Sequence, residues 1–151
     1  MDKKELKVNA IKDGTVIDHI PARDLFKVIR ILGLEKIDNA MTFGTNLDSK
    51  KFGKKAIIKV SDKYFQDAEI NKIALIAPMA NLNIINNYEV TEKKPVALPE
   101  TITGICKCMN PKCITNAEPM LTKFNVIPGD TVSLKCCYCS KVTDSEHITI
   151  L

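Results

Sequence analysis

Four cysteines in the last third of the chain constrain its fold more than any other feature. Cys108 and Cys113 form a C-x4-C pair, Cys136 and Cys139 form a C-x2-C pair, and 22 residues separate the two pairs. Two closely spaced thiol pairs allow two tight turns to present four sulfurs to one ion. The pattern therefore predicts one tetrahedral Zn²⁺ site. Four thiolates leave no open position for a catalytic water, so the zinc is expected to be structural.

Other uses of these cysteines are iron binding, disulfides and redox chemistry. Iron accepts the same soft thiolate ligands as zinc. The first residues lack the apolar core of a signal peptide and no apolar run is long enough to span a membrane, which predicts a cytoplasmic chain without disulfides. A redox C-x2-C motif is expected in a βαβ unit, whereas these pairs lie in a segment rich in Thr, Val and Pro.

Six cysteines are present for four ligand positions, so two are surplus. Cys137 lies inside the C-x2-C turn, and its side chain is expected to point away from the ion. Cys106 and Cys108 could face the same way on a strand. Cys108 is the predicted ligand because it is nearer the turn that leads to Cys113, and Cys106 is the alternative.

Apolar spacing upstream of the cysteines predicts alternating strands and helices. Strands are predicted at 6–11, 14–20, 41–47, 55–60 and 82–90, and helices from Pro21 to about Leu32 and at 67–77. Each helix has one apolar stripe, formed by Leu25, Val28, Ile29 and Leu32 in the first and by Ile70, Ile73, Ala74 and Ala77 in the second. The predicted fold class is α+β, with an N-terminal ferredoxin-like βαββαβ sandwich followed by a small all-β zinc-ribbon-like domain.

The stretch 91–100 interrupts this periodicity with two prolines and four charged residues. Proline disfavours helix at the residue before it and stiffens a linker. A semi-rigid connector is therefore predicted here, between a domain of residues 1–97 and a domain of residues 98–151.

Residues with catalytic chemistry are sparse, which argues against an enzyme. The chain has two histidines and none of the common nucleotide-phosphate, hydrolase or metalloprotease motifs. Lys55 and Lys59 are four residues apart on a predicted strand, so they project from one face about 13 Å apart. With Asp18 and His19 nearby, they suit an anionic ligand that carries hydroxyls, such as a nucleotide. The alternative is that these lysines only protect a sheet edge from strand addition.

Nucleic-acid binding is the competing class of function, because the net charge is +4 and the sequence pI is about 8.7. Zinc ribbons often bind nucleic acid. The positive charge is not concentrated in the cysteine-containing segment, however, and Phe124 and Tyr138 are isolated aromatics rather than a stacking surface. Neither a nucleic acid nor a membrane is therefore expected as a partner.

Several segments together resemble the regulatory chain of aspartate carbamoyltransferase, from about Leu6 to the C-terminus. They are 12–22 (with the run Gly14-Thr-Val-Ile-Asp-His-Ile-Pro21), 86–90, 98–100, 117–119 and the four-cysteine frame. The resemblance implies a non-catalytic subunit in pyrimidine biosynthesis that binds CTP, UTP or ATP through its N-terminal domain. It also implies a dimer of regulatory chains and docking of the zinc domain onto the catalytic chain.

The resemblance also implies a set of nucleotide-binding positions. They are Val8, Ala10, Ile11, Asp18, His19, Lys55, Lys59, Asn83, Ile85, Tyr88, Val90 and Lys93. Ala10, Ile11 and the backbone at Tyr88 would meet the base. Val8, Asp18 and Lys59 would meet the ribose, and His19 and Lys93 the phosphates, while Lys55 and Lys59 could serve a second, metal-bridged nucleotide. Asp13 departs from the family, since a basic residue often stands there beside the base.

Overall fold

The fold is seen in a computed structural model, which describes residues 10–50, 53–129 and 131–151. Its first part contains strands β1 to β5 and two helices. The strands are β1 Gly14–Pro21, β2 Met41–Ser49, β3 Gly53–Ser61, β4 Asn81–Asn86 and β5 Glu89–Pro95, and the helices are α1 Leu25–Ile31 and α2 Asp67–Ile73. Short 3₁₀ turns at Ala22–Asp24 and Leu34–Lys36 flank α1. No helix in these described ranges is long and apolar enough to cross a membrane.

The first five strands form one antiparallel sheet in the order β2-β3-β1-β4-β5. Ile17 at the centre of β1 lies opposite Ile58 of β3 and Leu82 of β4, and all three side chains are fully buried. They pack against Leu25 and Ile70 of the two helices, which cover this face of the sheet. The predicted α+β class is confirmed, and the first four strands have the order of a ferredoxin-like sandwich with β5 added at one edge.

The prediction of a single strand at 82–90 was wrong, and so was the start of the predicted connector. The chain turns back at Asn87 and Tyr88, and residues 91–95 belong to β5, which pairs with β4. Beyond β5, Val96 packs against the hydrophobic cluster between the sheet and its two helices, here called the first cluster. Leu98 packs against the hydrophobic cluster that contains Cys108, Cys113 and Cys136, here called the second cluster. The residues on both sides of the predicted domain boundary are therefore packed against a hydrophobic cluster.

The other predicted elements differ mainly in length. Strands β2 and β3 extend the predicted hairpin, and Gly33 has the left-handed φ of 65° expected after a helix. Helix α2 ends at Ile73 rather than Ala77, although the four residues of its predicted apolar stripe are all buried. Of the strand predicted at 6–11, residues 6–9 lie outside the described residues, and the other two are not in a strand.

The cysteine-containing part is built mainly from short strands. They are β6 Thr101–Thr103, β7 Cys106–Lys107, β8 Lys123–Ile127, β9 Ser133–Cys136, β10 Val142–Asp144 and β11 Thr149–Ile150, with one short helix, α3 Ile114–Ala117. One sheet has the order β10-β9-β8-β6, and β11 pairs with β7. Ile31 and Leu75, from the first part of the chain, are buried in the hydrophobic cluster of this second part. The two parts therefore share a core.

Gly14 at the start of β1 occupies a position that no larger residue fits. Its φ is 139°, and a Cβ there would overlap the Val60 carbonyl oxygen on β3. We expect Gly14→Ala to reduce the free energy of unfolding by about 2–4 kcal/mol, because it adds both a steric clash and backbone strain. Thermal denaturation with Gly33→Ala as the matched control tests this. Gly33 also has a positive φ but has open space around it, so about 1 kcal/mol is expected. Equal losses in the two variants would contradict the steric argument.

Candidate metal centre and ligand-binding face

The four cysteines of the predicted metal site come together in the structure. The sulfurs of Cys108, Cys113, Cys136 and Cys139 all lie within 4.8 Å of one another. The Cys108 and Cys139 sulfurs are 3.7 Å apart, as are those of Cys113 and Cys136. Sulfurs about 2.3 Å from a tetrahedral ion are separated by about 3.8 Å, so the arrangement fits a single thiolate-bound metal.

Two turns aim these sulfurs at a common centre. In the first, the backbone N–H of Cys113 donates to the Asn110 carbonyl oxygen, and the Asn116 side chain donates to the carbonyl oxygens of Cys108 and Asn110. In the second, the Ser140 N–H donates to the Cys136 carbonyl oxygen at 2.9 Å. Ser140 has a φ of 65°, which reverses the chain immediately after Cys139. Both turns are thus held by hydrogen bonds outside the thiols.

Hydrogen-bond donors around the sulfurs favour their ionised form, which is the form that binds a metal. The Tyr138 N–H donates to the Cys136 sulfur at 3.4 Å. The Thr115 hydroxyl donates to the Cys113 sulfur at 3.2 Å and, as the largest cause, lowers the pKa of that thiol. Thr115 is a contributor that the cysteine spacing did not reveal. Buried charged sulfurs need such donors in addition to the ion.

The two remaining cysteines lie outside this cluster. Cys137 is exposed, as expected for a residue inside the turn. Cys106 is 1% exposed, packs in the second hydrophobic cluster and pairs with Ile150 of β11. The Cys106 sulfur is not one of the four that lie within 4.8 Å of one another, whereas the Cys108 sulfur is. The geometry thus supports Cys108 over Cys106 as the ligand.

A second group of predicted site residues lies on the face of the five-stranded sheet opposite the helices, here called the open face. Val16 of β1 is opposite Lys59 of β3 and Asn83 of β4, and Asn83 is opposite Lys93 of β5. Directly opposed residues share a face. Since Ile58, next to Lys59, is buried under the helices, this row faces the other way. Burial lowers the pKa of Lys59, and the Asp18 carboxylate opposes this shift.

Asp18 and His19 lie where β1 is irregular. The register of β1 against β3 shifts between Ile17 and Ile20, and His19 adopts a φ of 61°. The Asp18 carboxylate accepts hydrogen bonds from the Lys55 ammonium at 3.0 Å and from the His19 N–H at 2.7 Å. A strained backbone at a polar cluster is typical of functional sites.

An open cavity of about 460 Å³ adjoins this irregularity. It is lined by His19 and Lys55 and by Asp48, Ser49 and Lys50 from the β2–β3 hairpin. The hairpin residues were not predicted as part of a site. Only the pairing of β2 with β3 brings them here, and the sequence gives no motif for that placement.

Two buried polar atoms on this part of the molecule lack partners. His19 Nδ1 and Asn83 Oδ1 find no hydrogen-bond partner in the part of the chain that the structure describes. Buried polar atoms without a hydrogen bond cost free energy and are uncommon. A bound ligand that supplies a donor and an acceptor would remove this cost.

The end of the open face near the β4–β5 turn is more apolar. Ile85 is opposite Gly14 and Val90, Val90 is 50% exposed and Tyr88 is 65% exposed. The Tyr88 N–H donates to the Lys12 carbonyl oxygen at 2.8 Å. This hydrogen bond holds Lys12, the neighbour of Ile11 in the chain, close to the β4–β5 turn. Val8 lies outside the described residues. Along the strands, the open face therefore changes from apolar residues near the β4–β5 turn to lysines farther from it.

Lys94 does not belong to this face. Its ammonium lies 3.4 Å from the Asp67 carboxylate of α2, on the helix-covered side of the sheet. Lys93 and Lys94 thus point to opposite sides, as neighbours on a strand do.

Comparison with known proteins gives consistent results over nearly the whole chain. Sequence models of two families match, described as the aspartate carbamoyltransferase regulatory chain, allosteric domain, at residues 6–97, and its metal binding domain, at residues 100–149. A protein of Bacteroides thetaiotaomicron is 56% identical over 150 residues, covering 99% of this chain and 98% of its own. One of Pyrococcus horikoshii is 53% identical over 146 residues, covering 95% and 96%. Both are named aspartate carbamoyltransferase regulatory chain.

Proposed function

Because the chain belongs to the family of aspartate carbamoyltransferase regulatory chains, we propose that it binds CTP, UTP or ATP on the open face of its sheet. The chain is a regulatory subunit in pyrimidine biosynthesis and is not itself catalytic. We also propose that residues 1–97 and 98–151 form two domains and that the chain is cytoplasmic.

The observation that most supports this ligand is a pair of buried polar atoms, close to lysines, that have no hydrogen-bond partner among the described residues. His19 Nδ1 and Asn83 Oδ1 need hydrogen-bond partners, and Lys59 and Lys93 lie in the same row across the sheet as Asn83. A nucleoside triphosphate offers phosphate oxygens for the cations and ribose hydroxyls for the polar atoms.

The change from apolar residues to lysines along the open face supports one orientation of the nucleotide. In this proposal the triphosphate lies at His19 and Lys93, the ribose at Asp18 and Lys59, and the base at the apolar end. Ala10, Ile11, Ile85, Tyr88 and Val90 surround that end in the proposal. A second, metal-bridged nucleotide at Lys55 and Lys59 is compatible with the adjoining cavity.

The metal of the cysteine cluster is proposed to be Zn²⁺. The matching family is a metal-binding domain, and the sulfur separations of 3.7 Å fit a tetrahedral zinc. Iron would fit the same cage. Bound zinc would stabilise the loop from Cys108 to Cys113, through which we propose that the domain docks onto the catalytic chain of aspartate carbamoyltransferase.

Self-association into a regulatory dimer is a further part of the proposal. Strand β2 is at the edge of the sheet. Phe43 on β2 and Phe26 on α1 are both exposed, and their rings pack edge to face with centroids 6.1 Å apart. An exposed aromatic pair beside a sheet edge is a suitable surface for a second copy of the chain.

Coupling between the nucleotide and the catalytic chain would run through the shared core rather than through a free connector. The 3₁₀ turn Ala22–Asp24 connects the Asp18–His19 irregularity of β1 to helix α1, and Ile31 at the end of α1 packs in the cluster that contains Cys108. An effector can act only if it binds one conformation of the chain more tightly than another. Closely packed side chains, such as those of the shared core, adopt discrete conformations between which an effector can select.

Reconstitution with the catalytic chain of the same organism tests the proposed function. We expect the two chains to co-purify, and at least one of CTP, UTP and ATP to change the aspartate concentration for half-maximal activity. A coupling free energy in the usual range gives a change on the order of fivefold or more. The catalytic chain alone, as the control, should show no such change. Failure to assemble, or an assembled enzyme that does not respond to any of the three nucleotides, would contradict the proposal.

A further inference from the structure

The two-residue turn between β4 and β5 has an unfavourable backbone. Strand β4 ends at Asn86 and β5 begins at Glu89. The residues between them, Asn87 and Tyr88, have φ angles of 50° and 68°. Such a turn normally contains Asn followed by Gly, because both central residues need a positive φ. Asparagine tolerates this conformation, but a bulky residue such as tyrosine is uncommon there. The surroundings must therefore hold the turn in place.

Three hydrogen bonds hold this turn in place. The Asn87 N–H donates to the Asp13 carboxylate at 3.0 Å, and the Tyr88 N–H donates to the Lys12 carbonyl oxygen at 2.8 Å. The Asp13 carbonyl oxygen in turn accepts from the Asp62 N–H at 3.0 Å, at the end of β3. Asp13 is thus fixed to β3 through its backbone while its side chain restrains the turn.

The turn lies at the apolar end of the open face. Its neighbours Ile85 and Val90 are two and three residues along their strands from Asn83 and Lys93. Two residues on a strand span about 7 Å. This distance, between the row of Ile85 and Val90 and the row of Asn83 and Lys93, suits a nucleotide whose base lies at the first row and whose phosphates lie at the second. Tyr88 is 65% exposed, so the turn is accessible to a ligand there.

From this geometry we infer that Asp13 is a positioning residue that sets the choice of base. The inference rests on the proposed nucleotide site. Cytosine presents an exocyclic amino donor where uracil presents a carbonyl acceptor. Backbone groups of a turn can distinguish the two only if their directions are fixed. The Asp13 carboxylate fixes them by accepting the Asn87 N–H, so it affects base choice without contacting the phosphates.

The test measures calorimetric affinities of the full chain for CTP, UTP and inorganic triphosphate, a probe without a base. In Asp13→Ala we expect the ratio of CTP to UTP affinity to move about three- to tenfold towards unity, the effect of one lost hydrogen bond. Triphosphate affinity should not change. Asp13→Asn retains an acceptor oxygen and should restore most of the ratio. A merely structural role would lower the melting temperature and leave the ratio unchanged.

A CTP to UTP affinity ratio that stays at the wild-type value in Asp13→Ala would overturn the inference, as would a wild-type protein that does not distinguish the bases. Absence of all nucleotide binding in the wild type would instead overturn the proposed function, and the inference with it.

Discussion

Replacement of Cys113 by alanine is expected to abolish metal binding and to unfold the cysteine-containing part of the chain. Its sulfur is buried, lies 3.7 Å from that of Cys136 and accepts a hydrogen bond from Thr115. Three remaining thiolates cannot complete the tetrahedron, and structural zinc typically contributes about 10–16 kcal/mol to the folding of small domains. Mass spectrometry measures the loss of metal, and circular dichroism measures the loss of folded structure. Association with the catalytic chain should fail as well.

Two further cysteines provide matched controls for this prediction. Cys137→Ala removes an exposed thiol inside the turn between Cys136 and Cys139 and should retain full metal content. Cys106→Ala removes a buried thiol from the second cluster, so it should lower stability moderately and keep the metal. Full metal content in Cys108→Ala, together with loss in Cys106→Ala, would reverse the assignment of the fourth ligand.

Replacement of Lys93 by alanine is expected to weaken nucleotide binding about ten- to a hundredfold, because a charge-assisted hydrogen bond contributes on the order of 1.5–3 kcal/mol. The adjacent residue gives an unusually close control. Lys94 has the same charge and lies on the same strand, but its ammonium is 3.4 Å from Asp67 on the helix-covered side. Lys94→Ala should therefore retain wild-type affinity for CTP and ATP in calorimetry. Equal effects of the two variants would show that only overall charge matters and that the site is misplaced.

Sequence reasoning located the elements whose signals are local. The thiol spacing identified the four sulfurs that meet, and a period of two placed Lys55 and Lys59 on the same side of β3. The hairpin of β2 and β3 was predicted from two short segments, 41–47 and 55–60, on either side of a lysine- and glycine-containing loop, and Ala56, Ile58 and Val60 of β3 are buried. Each of these signals is contained within a few residues.

Features that depend on pairing between distant segments were missed. Strand β5 has Glu92, Lys93, Lys94 and Pro95 in place of an apolar alternation. Among the described residues it pairs only with β4, so it is an edge strand with few buried side chains. The turn before it lacks the glycine that would have marked it. The row that aligns Asn83 with Lys59 and Lys93 depends on strand register, which no local pattern specifies.

The shared core has a consequence for how the chain unfolds. Ile31 and Leu75 come from the part that matches the allosteric domain but are buried among residues of the part that matches the metal binding domain. Each part therefore stabilises the folded form of the other, in the way that a ligand stabilises a protein when it binds only the folded form. A chelator should then lower the temperature at which the five-stranded sheet melts, although that sheet contains no metal ligand. Conversely, a nucleotide should slow the loss of metal to the chelator.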